Sequence, residues 1–195
     1  MHRWFTSALA LLACGSAFAA PKASTELTDN DGVKHDVEMA FDGLLSTAWA
    51  EDEDGSGSGA WIELPFRTPV DVTTVSIWPG NLAKGNRTLR EHGRPRTVTV
   101  TLFTTDGEEV TVEERFQDGA KVGPQRVDIP IEGRAKKLRV TIDDIYEGGV
   151  FTDTYIAEVA VNFTSGSNPT IIERLEAWQA SDAGQKAQAK DEAVV

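Results

Sequence analysis

The chain has 195 residues, of which 40% are apolar and 26% charged. That length and composition suit one domain with a genuine core and exclude wholesale disorder. With 19 Lys+Arg against 31 Asp+Glu, the net charge of −12 excludes a protein that tracks nucleic-acid phosphates. A single cysteine, Cys14, excludes an internal disulfide and a thiolate zinc site. No apolar run reaches the roughly 20 residues that span a bilayer as a helix.

Residues 1–19 read as a secretory signal. Arg3 gives a basic start, Ala8–Ala13 an apolar stretch, and Ala17-Phe18-Ala19 a small-residue cleavage site before Ala20. The stretch Leu11-Leu12-Ala13-Cys14 also resembles the lipobox of bacterial lipoproteins, in which Cys14 would be acylated as a lipid anchor. Both processing routes stay open. Either one exports the chain to the periplasm, the cell envelope or the outside of a bacterial cell.

Beyond the signal the pattern is that of strands. Val37–Phe41 allows a single helical turn, ended by Asp42-Gly43. Residues 51–59 (EDEDGSGSG) form an acidic loop. Trp61–Phe66 alternates at the strand period, and Val70–Trp78 is rich in β-branched residues. Asn81–Arg96 reads as a long basic loop. Thr97–Phe103 and Glu109–Phe116 flank an Asp106-Gly107 hairpin turn, with Val110, Val112 and Phe116 on the inner side. Gln125–Ile131, Lys137–Ile145 and Tyr155–Phe163 complete seven or eight strands. Turn signals recur about every ten residues, the mark of an all-β sandwich or barrel. A linker over 164–168 precedes residues 169–195, where Ile171, Leu175 and Trp178 follow helical spacing after Pro169.

Little in the sequence points to catalysis. Two histidines, His35 and His92, remain after the signal, and neither a G-x-S-x-G elbow nor an H-E-x-x-H motif is present. Residues 52–63 match the spacing of a calcium-binding EF-hand loop, but Trp61–Phe66 reads as a strand where a helix is required, which favours a solvated acidic loop. The Asn86-Arg87-Thr88 and Asn162-Phe163-Thr164 sequons read as chance matches in a bacterial protein. In Ala40–Trp49, by contrast, a tight Asp-Gly turn gathers oxygens: Asp42 offers a carboxylate and Thr47 a hydroxyl, with Trp49 as an aromatic anchor.

The segment A-x-D-G-x-x-x-T-x-W over 40–49 resembles the signature of the discoidin, or coagulation-factor type C, family. The resemblance continues through Trp49–Leu64 (W-x-E, an acidic Gly-rich loop, then G-x-W-I-E-L), the turn at Trp78–Asn81, and Asp153–Val159 (DTYIAEV), similar to the family's closing D-T-x-I-x-E-I. It covers about residues 24–163. The pattern is most similar to the translocation domain of bacterial NAD glycohydrolase toxins. In those toxins NAD hydrolysis belongs to a separate catalytic domain, for which this chain has no room.

The resemblance implies an antiparallel, eight-stranded jelly-roll β-sandwich of the galactose-binding-like class over 20–163, followed by a short C-terminal helix. Family members that bind structural Ca²⁺ use positions matching Asp42, Thr47 and Glu158, with carbonyls near Phe41, Leu44 and Ala157; other members lack the ion. It further implies a non-catalytic exported module that recognises a glycan or another cell-surface component. The binding end would comprise Glu51–Gly59, Asn81–Arg96 and Tyr146–Asp153. Asn81, Arg87, Arg90 and Arg94 would donate hydrogen bonds there, and Tyr146 or Phe151 would stack on a sugar face, with Trp78 assigned to the core. The alternative is an envelope targeting domain that docks a protein partner, with the C-terminal helix contributing.

Overall fold

The computed structural model describes residues 20–118 and 126–163. The signal expected over 1–19 with Cys14, the linker expected over 164–168 and the helix and tail expected over 169–195 lie outside the described residues. Among the described residues there are nine strands: β1 (Lys22–Ala23), β2 (Leu27–Thr28), β3 (Lys34–His35), β4 (Trp49–Ala50), β5 (Trp61–Pro79), β6 (Arg94–Thr104), β7 (Glu109–Arg115), β8 (Val127–Tyr146) and β9 (Tyr155–Val161). A 3-10 turn occupies Val37–Ala40, where the sequence allows one. Among the described residues no helix is long and apolar enough to cross a membrane.

Two strands are longer than their sequence suggests. Residues 61–66 and 70–78 belong to one strand, and so do 127–131 and 137–145. Each bends and serves both layers of an antiparallel jelly roll. The bend lies where Pro65 pairs with Lys137 and Val70 with Ala135, so that residues 66–69 face Lys136 alone. An exposed Arg67-Thr68-Pro69 corner fits this turn, since proline cannot donate to a ladder. Before the corner, β5 lies between β8 and the short β1, with β6 and β7 beyond β8. After it, β5 lies between the first half of β8 and β9, with β4 beyond.

Strand period fixes what fills the sandwich. Ile62, Val140, Val100 and Val112 stand opposite one another across one layer, as do Leu64, Leu138, Leu102 and Val110. In the other layer Ile129, Val75 and Val161 align, and so do Val127, Ile77 and Val159. Both sets join one apolar cluster. Each fully buried Val, Leu or Ile contributes about 1.5–3 kcal/mol. Trp49 is fully buried at its edge, its Nε1–H donating to the Thr25 carbonyl at 3.0 Å.

The outer face of the β9 layer is also covered. A second cluster of Leu45, Ala48, Trp78, Leu82, Leu89 and Phe163 packs there, with the 41–48 turn and the 80–93 segment acting as its lid. Trp78 is 5% exposed, as its assignment to the core requires. The 81–96 segment is not wholly a loop: Asn86–Glu91 forms a helix, α1, and β6 starts at Arg94. Its Thr88 and Leu89 are buried while Arg87 is exposed, an amphipathic turn too short to read from periodicity. Asn162, in the second sequon, adopts a left-handed φ of 52°. Its Oδ1 accepts from the Thr73 N–H and its Nδ2 donates to the Asp71 carbonyl, both at 2.8 Å or less.

Candidate functional site

The first site is built on the Asp42-Gly43 turn. Gly43, with φ of 77°, lets the chain reverse so that its N–H donates to Glu158 Oε2 on β9 at 2.7 Å. The Leu44 N–H donates to Asp42 Oδ1 at 2.7 Å. Thr47 Oγ1 lies 2.8 Å from Asp42 Oδ2 and 2.9 Å from the Leu44 carbonyl oxygen. One hydroxyl proton is shared between two acceptors, so three oxygens crowd together beside a buried acid. Glu158 is 3% exposed. Burial, with Asp42 adding like charge, pushes its carboxyl up to about 9, and no ion pair to it forms among the described residues. The structure thus brings Asp42 and Thr47, five positions apart, together with Glu158, 116 positions after Asp42. Among the described residues no three His, Cys, Asp or Glu side chains cluster as a metal site; this one offers two carboxylates, a hydroxyl and the Leu44 carbonyl.

The second site lies where three loops meet. The Glu51 N–H donates to the Thr154 carbonyl, Gly93 to that of Asp153, and Gly149 to that of Arg90, so segments 51–59, 80–93 and 146–154 share one end of the sandwich. The N–H groups of Val150 and Phe151 both donate to the Glu91 carbonyl, satisfying the C-terminal end of α1. Phe151 is 42% exposed, and one face of its ring stacks on His92 with centroids 4.7 Å apart at 24°. His92 in turn meets Tyr155 edge-on at 4.6 Å, and Tyr155 meets His35 at 5.1 Å. His92 Nδ1 is 3.0 Å from the Thr88 carbonyl, which places the proton on Nδ1 and leaves Nε2 as an acceptor. Burial lowers the affinity of His92 for a second proton.

Glu51 holds two of these loops together. It is fully buried, with Oε1 accepting from the Thr154 N–H at 2.7 Å and Oε2 from the Glu53 N–H at 2.8 Å. Burial raises its carboxyl pKa, and the neighbouring Asp153 and Glu53 add to the shift. An acid raised on folding stabilises the native state fully below its unfolded pKa and loses that contribution as pH rises through the folded value. The Tm of the protein minus that of Glu51→Gln is therefore expected to fall as pH rises above the ordinary glutamate value of about 4.3. A difference that stays flat or rises contradicts this assignment.

The other residues singled out from the sequence are distributed differently. Asn81 and Arg94 are buried. Asn81 Oδ1 accepts from the Ala83 N–H, and Arg94 binds the Leu89 carbonyl and Asp118. Tyr146 lies between Arg94 and Arg96, its hydroxyl donating to the Phe116 carbonyl at 2.9 Å. Arg87 pairs with Glu91 at 2.8 Å, and Arg90 Nε reaches the Asn86 carbonyl. Glu63 completes no EF-hand loop. It sits in β5 between Lys137 and Arg139, at 2.7 and 2.6 Å; burial pushes its carboxyl up, but the two cations outweigh that and hold it below the usual range. Sequence reasoning assigned no role to His92, because a lone histidine in a polar segment carries no periodic signal; its stacking partner lies 59 positions later.

Known structures share this architecture. The chain is similar to the family 32 carbohydrate-binding module of AlyQ, solved in complex with 4,5-unsaturated mannuronic acid (19% identity, 75% of this chain and 96% of that one, TM-score 0.51). It is also similar to the family 32 module of Clostridium perfringens NanJ, solved in complex with galactose (18%, 73% and 91%, TM-score 0.53), and to two such modules of Clostridium perfringens ZmpB (11%, 74% and 35%, TM-score 0.55). At these identities the likeness is one of fold. No curated protein matches the chain. The Asp-Gly turn set against a distant Glu on the last strand, inside a jelly roll, is what the sequence signature anticipates. The family pattern extends over residues 13–162, and the chain belongs to the NAD glycohydrolase translocation F5/8 type C domain family.

Proposed function

We propose that the protein is an exported, non-catalytic binding module that holds a glycan at its three-loop end and a structural Ca²⁺ at Asp42, Thr47 and Glu158. The observation that carries the glycan reading is the exposed Phe151 ring, backed by His92 where the loops converge. A sugar's C–H face packs on such a ring, while nearby polar groups fix its hydroxyls. His92 Nε2 serves as an acceptor for a sugar hydroxyl. The fold's occurrence in carbohydrate-binding modules supports this reading. Glu51, the most buried acid of this end, has both oxygens occupied by backbone N–H groups and is not placed to act as a general acid. The signal pattern over residues 1–19 supports export.

The oxygens of the Asp42 turn fit calcium by their chemistry. Ca²⁺ takes six to eight hard oxygen ligands. Here a buried carboxyl without a cationic partner among the described residues stands beside a second acid, a hydroxyl and the Leu44 carbonyl. The ion would supply the positive charge that offsets Glu158 and would fasten the 41–47 turn to β9.

The glycan reading is tested on a glycan array with the full chain and Phe151→Ala. Loss of the ring is expected to weaken retention about tenfold or more, a stacking contribution of about 1–2 kcal/mol. Because the ring is 42% exposed, Tm should barely move. Retention of no glycan by the wild type, or equal retention by the variant, would refute the reading.

A further inference from the structure

The fold leaves the charge class of a ligand to the side chains of the loops, and here these are predominantly acidic. Segment 51–59 carries four acids and 146–154 two, whereas 80–93 carries one acid and three bases, Lys84, Arg87 and Arg90. The guanidinium groups near this end are committed to the protein. Arg87 pairs with Glu91 and Arg90 binds the Asn86 carbonyl. Arg94 is buried on Asp118 and the Leu89 carbonyl, and Arg96 is paired with Asp144. The acids, in contrast, act on the stacking platform itself. Asp153 and Glu91 lie close enough to His92 to influence its protonation, and Asp153 also acts on Glu51.

A sugar carboxylate is held well by an arginine fork offered in bidentate geometry. At this end the forks already hold protein oxygens. A carboxylate placed over Phe151 would also enter the field of Asp153, two positions along the same loop, whereas Glu91 is offset by Arg87. A neutral sugar loses nothing to this field, and its hydroxyls can donate to the same acids. We infer that the site takes uncharged sugars and rejects those bearing sialic or uronic acids. This selectivity rests on the glycan-binding reading above.

The test uses the full chain on an array that prints neutral galactosides and glucosides beside their sialylated and uronate counterparts, read at low and at near-physiological salt. Neutral members are expected to be retained, with acidic counterparts about tenfold weaker or more at low salt and the gap narrowing as salt rises. Acidic members retained as strongly as their neutral counterparts, or a gap indifferent to salt, would overturn the selectivity while leaving the glycan reading standing. Retention of neither class would overturn both.

Discussion

Calcium added to chelator-treated protein is expected to raise Tm by several degrees, and Glu158→Gln to abolish the rise. An ion that binds only the native state stabilises it by mass action, about 2.7 kcal/mol at a hundredfold excess over Kd. For a domain of this size each kcal/mol shifts Tm by about 2–4 °C, so a rise of about 5–10 °C follows. The site depends on Glu158, whose burial beside Asp42 pushes the carboxyl up to about 9. Without the ion the fold carries a buried acid that is costly to ionise; with it the negative charge is offset. Glutamine keeps an oxygen that accepts the Gly43 N–H and carries no charge, so the metal-free Tm should change little. Matched wild-type melting curves in calcium and chelator would remove the calcium reading. A response that survives in Glu158→Gln would place the ion elsewhere.

The layers and the first site were legible in the sequence for a common reason: both are written in short-range patterns. Alternation set the inward faces of 61–66 and 97–103, and the Asp106-Gly107 turn set the β6–β7 register. The Asp42 turn is a local motif, and family resemblance alone tied it to Glu158, 116 positions later. The continuity of β5 and β8 was hidden because proline and polar corner residues look like a loop whether the strand ends or merely changes layers. The glycan end was half legible. Its loops were located, but burial decides which of their polar residues face outward. Asn81 and Arg94 point their polar atoms into the protein: Asn81 Oδ1 accepts from the nearby Ala83 N–H, and Arg94 reaches back to the Leu89 carbonyl and forward to Asp118. His92 became a candidate only when the 146–154 loop folded over it, with Gly148 passing so near that a Cβ would lie 2.5 Å from the His92 carbonyl carbon.

Gly57→Ala is expected to cost far more stability than Gly55→Ala, although both glycines sit in the same acidic loop at positive φ. Gly57 has φ of 71° and Gly55 of 113°, so alanine strains the backbone at both, by about 1–3 kcal/mol. Their surroundings differ. At Gly55 a Cβ meets nothing within 4 Å, whereas at Gly57 it would lie 2.4 Å from Glu51 Cδ and 2.5 Å from Oε1. Glu51 has little room to retreat, being fully buried with each oxygen held by an amide. Overpacking adds about 1–3 kcal/mol, so Gly57→Ala should lose about 2–6 kcal/mol in urea titration. Glycan retention should fall with it, because Glu51 is what fastens the 51–59 loop to Thr154. Glu51→Ala, which leaves the two amides without their acceptor, is itself destabilising, but it removes the clash. In that background Gly57→Ala should cost only its backbone share, a non-additivity of about 1–3 kcal/mol between neighbours. Equal losses at Gly55 and Gly57, or full additivity with Glu51→Ala, would show that the Glu51 carboxyl does not hold the loop in place.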